Sequence, residues 1–89
     1  MIMKINAFKI ISPYMIEIEF NNGETRLVDL TNELYGEVFQ ELKNEEYFQK
    51  AFLTEWKVIQ WPNGADFAPE YLYQISKKKA ETLFLSLKQ

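Results

Sequence analysis

The sequence predicts a small α+β domain in which short helices pack on an antiparallel sheet, in the order β-β-β-α-α-β-β-α. Three observations predict it: apolar and charged residues alternate over Ile16–Phe20, helical apolar spacing follows, and a Pro- and Gly-punctuated aromatic segment spans Trp61–Tyr73. A chain of 89 residues suits one domain. We assign residues 1–75 to that domain and residues 76–89 to a C-terminal amphipathic helical extension.

The composition disfavours several classes of function. Hydrophobic residues make up 47% of the chain, which is enough for a compact core without metal or disulfide. The chain has no cysteine and no histidine, so it lacks thiolate nucleophiles, sulfur zinc ligands and the commonest general base. We therefore expect no enzyme activity, no cofactor and no metal site. A net charge of −3 disfavours broad contact with phosphate backbones and suits a basic protein partner.

The first residues argue against secretion or membrane insertion. Lys4, Asn6 and Lys9 interrupt every apolar run of the segment MIMKINAFKII, which leaves neither a signal-peptide core nor a membrane span. We therefore expect a cytoplasmic protein.

Three strands are predicted in the first third of the chain. Ile2–Ile11 is rich in β-branched and aromatic residues and ends before Pro13, which cannot donate a backbone hydrogen bond. Tyr14–Phe20 alternates apolar with charged residues, as in a sheet with one buried face, and Glu24–Leu30 returns as the third strand. The sequence therefore predicts a β-hairpin after the first strand.

The hairpin turn also predicts a register. Asn-Gly at positions 22–23 favours the positive φ angles of a two-residue loop. Such a loop would place Glu19 opposite Arg26 on the exposed face and Ile18 opposite Leu27 on the buried face.

Short helices are predicted next. Thr31 or Asn32 caps a helical turn that ends near Gly36, and a second helix spans about Glu37–Lys43. The apolar face expected for that second helix consists of Val38, Phe39 and Leu42.

Asn44 is expected to cap a further helical turn, which leads into two short strands. The inward-facing residues expected of this turn are Tyr47, Phe48 and Ala51. The strands are predicted at Phe52–Leu53 and Lys57–Trp61, around Thr54–Glu55.

The segment Trp61–Tyr73 predicts a reversal followed by a helix. Pro62, Asn63 and Gly64 suit the second, third and fourth positions of a β-turn. Pro69 suits the first position of a helix, where its missing N–H is harmless. Leu72 and Ile75 are then expected to face the core.

The C-terminal segment has the spacing of an amphipathic helix. Its apolar stripe is Ala80, Leu83, Phe84 and Leu87, with the lysines of residues 77–79 on the wet side. The stripe either folds back on the sheet or packs against another chain. We favour association, as a homo-oligomer or with a partner, because residues up to Ile75 already form a complete domain.

The blocks FNNGETRLVDL, GEVFQEL and WPNGADFAPEYLY occur in an order that resembles a small bacterial family catalogued as domain of unknown function 2442. The resemblance covers roughly residues 3 to 75 and implies an antiparallel sheet with short helices. By gene neighbourhood, members resemble components of toxin–antitoxin pairs. Some related domains are joined to a helix-turn-helix module, which the pattern of this chain lacks.

Asp66 is a candidate site residue with a structural alternative. With Asn63 and Glu70 it could bind a ligand or a partner's arginine. We favour the alternative that the Asp66 carboxylate accepts backbone N–H bonds and stiffens the turn. Asp29, the only other aspartate, is expected to cap the turn that follows the third strand.

The aromatic residues near the reversal are open to two interpretations. Trp61, Tyr71 and Tyr73 could form a platform for nucleic-acid bases or a peptide, although in a small domain large rings more often belong to the core. Trp56 lies in a turn between two short strands, and if it is exposed it is the best single contact candidate.

Our leading hypothesis is a protein-interaction module, antitoxin-like, for a basic partner encoded by a neighbouring gene. Glu17 and Glu19 would help to steer that partner. The alternative is a nucleic-acid-binding accessory protein using Arg26 and the lysines of residues 77–79, and a small-ligand-binding domain is a weaker one. The candidate contact residues for the leading hypothesis are Trp56, Trp61, Asp66, Tyr71, Leu83, Phe84 and Leu87.

Overall fold

The computed structural model describes residues 2–78, and it confirms the α+β architecture with its antiparallel sheet. The elements in chain order are β1 (Ile5–Ser12), β2 (Met15–Phe20), β3 (Thr25–Asp29), a 3₁₀ helix (Glu37–Lys43), α1 (Glu45–Phe48), β4 (Phe52–Leu53), β5 (Ile59–Gln60), α2 (Pro69–Ile75) and β6 (Lys77–Lys78). The helical turn expected after Thr31 is a hydrogen-bonded turn without a helix. There the Thr31 N–H donates to Asp29 Oδ1 at 2.9 Å, which confirms the capping role of Asp29.

The strands form two antiparallel sheets. The larger sheet has the order β1-β2-β3-β6, and the smaller pairs β4 with β5. The helical assignment of Lys77 and Lys78 is wrong, because they pair with Leu27 and Arg26 along the edge of β3. Helix α2 ends at Ser76, whose backbone is extended (φ −76°, ψ 161°), so the chain turns into the open edge of β3 instead of continuing the helix.

The predicted register of the first hairpin is wrong by one residue. Arg26 lies opposite Ile18, and Leu27 lies opposite Glu17. The loop has three residues, 21–23, because the Phe20 N–H donates to the Glu24 carbonyl at 2.8 Å and Gly23 adopts a φ of 89°. A shift of one residue exchanges the faces of a strand, so Arg26 lies on the inner face of the sheet and Leu27 on the outer face.

The core lies between the inner face of the larger sheet and the helices and small sheet that cover it. At its centre the Trp61 indole N–H donates to the Phe48 carbonyl at 2.9 Å, and the rings of these residues lie 5.4 Å apart. The buried hydrophobic residues are Ile5, Ile16, Ile18, Phe20, Val28, Leu30, Leu34, Leu42, Phe48, Ile59, Trp61, Ala65, Phe67 and Leu72.

The 3₁₀ helix, α1 and α2 lie at their expected positions, but one residue expected on an apolar face is not buried. Asn44 caps α1 by accepting the Tyr47 N–H at 2.9 Å, and Pro69 opens α2, as predicted. Val38, however, is exposed. A 3₁₀ helix has about three residues per turn, so Phe39 aligns with Leu42 while Val38 points to a different side.

Candidate protein-interaction surface

The reversal at residues 61–65 is a closed loop, as predicted. The Gly64 N–H donates to the Trp61 carbonyl at 2.9 Å, and the Trp61 N–H donates to the Ala65 carbonyl at 2.9 Å. Gly64 has a φ of 91°, a conformation that glycine adopts without a steric cost. The loop brings the segment after it back against the 3₁₀ helix.

Asn63 fastens this loop to the helix. Its Oδ1 accepts the Ala65 N–H at 3.0 Å, and its Nδ2 donates to the Val38 carbonyl at 2.9 Å and to Glu41 Oε1 at 3.2 Å. The turn-stiffening role predicted for Asp66 therefore belongs to Asn63. The side chain of Asp66 is exposed, and its backbone forms an isolated antiparallel β-bridge with Gln60.

An aromatic row runs from the 3₁₀ helix to α2. The Phe39 and Phe67 rings stack with centroids 4.8 Å apart, and Phe67 and Tyr71 lie nearly parallel at 6.5 Å. Phe67 is buried, whereas Phe39 is half-buried and Tyr71 is 36% exposed. The row therefore connects the core to the molecular surface.

Further side chains extend this row on the surface. The Tyr71 hydroxyl donates to the Glu33 carboxylate. This bond, with smaller contributions from desolvation, the Glu33 charge and Tyr35, raises the pKa of Tyr71 to about 12. Tyr35 is 69% exposed and Val38 is 44% exposed. We define the aromatic–acidic surface as Glu33, Tyr35, Glu37, Val38, Phe39, Glu70 and Tyr71.

The charge of this surface is of one sign. Its seven residues lie within the segments 30–42 and 61–76, neither of which contains a lysine or an arginine. Their carboxylates are Glu33, Glu37, Glu41, Asp66 and Glu70. Exposed aromatic rings beside carboxylates match the chemistry of guanidinium and ammonium groups, which bind both ring faces and carboxylate oxygens.

Arg26 belongs to a different cluster, which joins the sheet to the end of α2. Its Nη1 lies 2.8 Å from Glu24 Oε1, its guanidinium lies 4.6 Å from the centre of the Tyr73 ring, and its Nε donates to Ser76 Oγ. The Tyr73 hydroxyl bond and the Arg26 guanidinium lower the pKa of Glu24. Arg26 therefore has partners inside the fold, which removes support for its use in binding phosphate.

The structure separates the predicted contact residues. Tyr71 lies on the aromatic–acidic surface, whereas Trp61 is fully buried and is unavailable to a partner. Trp56 is 77% exposed, so it meets the condition of exposure that was set for it as a contact candidate. It lies in the turn between β4 and β5, and β4 lies next to β1. Within residues 2–78, Trp56 makes no ring contact. The residues predicted on the amphipathic stripe, Leu83, Phe84 and Leu87 with Ala80, lie outside the described residues.

Sequence reasoning missed Glu33, Tyr35, Val38 and Phe39 as surface residues. The sequence feature that could have identified them is the absence of lysine and arginine from two segments, 30–42 and 61–76, which are distant in sequence but meet in the fold. Of the three residues proposed to bind a ligand, Asn63, Asp66 and Glu70, Asn63 is not available. Its side-chain oxygen and nitrogen both form hydrogen bonds within the protein.

The part of the chain from Ile2 to Lys78 holds no group of three or more acidic, His or Cys side chains arranged to bind a metal ion. Across the same residues, no helix has the length and apolar character needed to cross a bilayer.

Fold and surface together define a small α+β domain with an exposed aromatic and anionic surface. The chain belongs to the family described as protein of unknown function (DUF2442), whose family model matches residues 5–78. This match confirms the resemblance carried by the three sequence blocks, and it includes strand β6. No curated protein and no solved structure matches the chain.

Proposed function

We propose that this chain is a cytoplasmic protein-interaction module, and not an enzyme, that acts as the antitoxin-like member of a pair. It regulates a basic protein partner by covering a Lys- or Arg-rich surface of that partner. The observation that carries the proposal is the aromatic–acidic surface, because it combines exposed rings with carboxylates of a single sign.

The exposed rings supply the affinity in this proposal. Tyr35 and Tyr71 are large amphipathic side chains, and such residues dominate the binding energy of many protein interfaces. An arginine placed over either ring gains about 0.5–1 kcal/mol when exposed and about 2 kcal/mol when desolvated. Few such contacts are needed for a specific complex.

The carboxylates supply orientation and rate. Glu37 and Glu70 lie in the first turns of the 3₁₀ helix and α2, and both are exposed. A concentrated negative potential steers a basic partner during diffusion and disfavours acidic partners.

The surface is also held in place before binding. Asn63 fastens the loop to the 3₁₀ helix, and the Phe39, Phe67 and Tyr71 rings are stacked on one another. Because these groups are ordered by the fold, binding loses less conformational entropy than it would on a mobile loop.

Co-expression with the product of the adjacent gene tests the proposal. We expect the two proteins to co-purify. Because Trp56 is exposed but lies outside the aromatic–acidic surface, we propose Tyr35 in its place as the main contact, and we expect Tyr35→Ala to weaken the complex while Trp56→Ala does not. The two variants are matched, since each removes one exposed aromatic ring (69% and 77% exposed). A domain that purifies alone at micromolar concentration, or a complex lost with Trp56→Ala and kept with Tyr35→Ala, contradicts the proposal.

A further inference from the structure

Two asparagines of the chain precede a glycine, Asn22 before Gly23 and Asn63 before Gly64. In such a pair the backbone nitrogen of the glycine can attack the side-chain carbonyl carbon of the asparagine, because glycine has no side chain that shields the nitrogen. Asparagine is among the thermolabile residues of proteins. The sequence therefore contains two candidate sites of spontaneous deamidation, and their surroundings in the fold decide which of them reacts.

The reaction has two steps. In the first, a bond forms between the glycine nitrogen and Cγ of the asparagine, the glycine N–H loses its proton, and the side-chain nitrogen leaves as ammonia. In the second, water adds to a carbonyl carbon of the resulting cyclic imide, and the bond from that carbon to nitrogen breaks. The product is aspartate or isoaspartate, according to which carbonyl takes the water, and either product adds a negative charge.

The fold restrains both asparagines in the same way. Each side-chain oxygen accepts a backbone N–H two residues further on. The Gly23 N–H donates to the Phe20 carbonyl at 3.0 Å, and the Gly64 N–H donates to the Trp61 carbonyl at 2.9 Å. These bonds must open before the glycine nitrogen and the side-chain carbon can meet in a reactive geometry. The rate at each site therefore depends on how easily its loop opens.

The two loops differ in what else each asparagine holds. The Asn63 Nδ2 donates to the Val38 carbonyl at 2.9 Å and to Glu41 Oε1 at 3.2 Å, so its reorientation also breaks the connection to the 3₁₀ helix. Within residues 2–78, the acceptor of the Asn22 Nδ2 is Glu24 Oε2, at 2.7 Å in the same loop. Asn22 is exposed, whereas Asn63 is half-buried. The Asn22 side chain can thus reorient without breaking a bond to another element.

We propose that Asn22 deamidates spontaneously in the folded chain while Asn63 is protected, so that the first hairpin loop acquires a carboxylate beside Glu24 as the chain ages. The Asn22 amide that donates to Glu24 Oε2 becomes an acid group without that donor. The loop then holds two like charges in place of a hydrogen bond. The modified loop adjoins the cluster in which Glu24 bonds to Arg26 and Tyr73.

Isoaspartate has a second effect, because its backbone runs through the former side-chain carbonyl. This route adds a methylene group to the backbone of the loop, residues 21–23. That loop is closed by the Phe20 N–H bond to the Glu24 carbonyl at 2.8 Å, and its length sets the register between β2 and β3. Isoaspartate at position 22 therefore strains the hairpin, whereas aspartate leaves its backbone unchanged.

The site lies outside the aromatic–acidic surface, since neither Asn22 nor Glu24 belongs to it. The proposal is therefore independent of the proposed function, and either can fail alone.

Peptide mapping of the full chain after incubation at neutral pH tests the proposal. Trypsin places Asn22 in the peptide 10–26 and Asn63 in the peptide 58–77, and fragment masses locate the change from amide to acid. A sample digested without incubation gives the background, and Asn21, which precedes asparagine and not glycine, is the internal control. We expect Asn22 to react about fivefold or more faster than Asn63, the factor that corresponds to one further net hydrogen bond.

The same measurement in concentrated urea separates the effect of the fold from that of the sequence. The unfolded chain lacks the loop bonds, so we expect the two rates to converge. A ratio that is unchanged in urea overturns the proposal. A folded chain in which Asn22 does not react, or in which Asn63 reacts as fast, also overturns it.

Two further measurements test the products. In Asn22→Asp the Glu24 carboxyl is expected to titrate at higher pH than in Asn22→Ser, because a neighbouring carboxylate disfavours its ionisation. Nuclear magnetic resonance follows this titration, and identical curves contradict the placement of the new charge. The isoaspartate fraction of the aged chain, separated by chromatography, is expected to unfold at a lower urea concentration than Asn22→Asp. Equal midpoints would show that the loop accepts the added methylene, against the proposed strain.

Discussion

Asn22 and Asn63 make the same hydrogen bond in two separate loops. Each Oδ1 accepts the backbone N–H two residues further on, from Glu24 and Ala65 respectively, and both distances are 3.0 Å. Each asparagine precedes a glycine with a φ close to 90°, and in each loop that glycine's N–H bonds to the carbonyl three residues earlier. The fold therefore uses one three-residue loop design twice. In the second loop the asparagine also donates to the 3₁₀ helix.

We expect Asn63→Ala to lower the free energy of unfolding more than Asn22→Ala, by about 1 kcal/mol, since a net hydrogen bond contributes about 0.5–1.5 kcal/mol. Both changes remove the bond to a backbone N–H inside the loop, and Asn22→Ala also removes a solvent-exposed bond from Asn22 Nδ2 to Glu24 Oε2. Only Asn63→Ala also removes the bonds to Val38 and Glu41. Urea denaturation measures the difference. Equal decreases in the free energy of unfolding would show that the hydrogen bonds between the loop and the 3₁₀ helix add no stability.

The two tryptophans are expected to differ in fluorescence and in their contributions to stability. Trp56→Phe removes the exposed indole, so the remaining emission shifts to shorter wavelength and stability changes by less than about 0.5 kcal/mol. Trp61→Phe leaves the Phe48 carbonyl without its donor and a space in the core, at a cost of about 2 kcal/mol or more. An emission maximum that stays in place in Trp56→Phe contradicts the exposure assigned to that residue.

Glu24 is expected to contribute to loss of stability in acid. Its pKa lies below the ordinary value of 4.5 because the Tyr73 hydroxyl and Arg26 stabilise the carboxylate. Its ionised form therefore stabilises the fold above that value, and this contribution is lost as the pH falls through the folded-state pKa.

We expect Glu24→Gln to be less stable than the wild type at pH 7 and to converge with it at acidic pH. Urea denaturation at several pH values measures this, with Glu19→Gln, an exposed carboxylate on the outer face, as the control. If the difference in unfolding free energy between Glu24→Gln and the wild type is the same at acidic pH, the bonds of Glu24 to Tyr73 and Arg26 are not its cause.

Tyr71 is expected to ionise late in an alkaline titration. The Glu33 bond raises its pKa to about 12 from the ordinary 10.0, so the bond stabilises the fold below the ordinary value and is lost as the pH rises through about 12. Ultraviolet absorbance follows the five tyrosines, and Tyr71→Phe should remove a late component. Glu33→Gln should shift that component to lower pH, and a titration that is identical in Glu33→Gln argues against the bond.

Local patterns predicted most of the fold, because caps, turns and alternation depend on neighbouring residues. The Asn44 cap, the Pro69 helix start and the turn at Gly64 are examples. The register failed because two asparagines precede Gly23, and the sequence alone does not distinguish a two-residue from a three-residue loop there. This difference of one residue in loop length determines which face of the sheet carries Arg26.

The aromatic–acidic surface was less predictable, because it depends on which distant segments meet in the fold. Tyr71 was a candidate by residue type alone, whereas Tyr35 and Glu33 become surface neighbours only through the packing of α2. Lys77 and Lys78 were misassigned for a similar reason, since the open edge of β3 determines their conformation. Tertiary contacts override local propensity at such positions.

Charge reversal on the aromatic–acidic surface is the strongest test of its proposed role in binding a basic partner. Glu37→Lys with Glu70→Lys changes the surface, while Glu46→Lys with Glu55→Lys changes exposed carboxylates that do not belong to it; each pair takes the net charge from −3 to +1. The measurement is the Kd of the partner at low and moderate salt, with the Tm of both variants verified. We expect the first pair to weaken binding by about tenfold or more and the second by less than about threefold, with a smaller difference at higher salt. Equal weakening by the two pairs would contradict a localised contact surface.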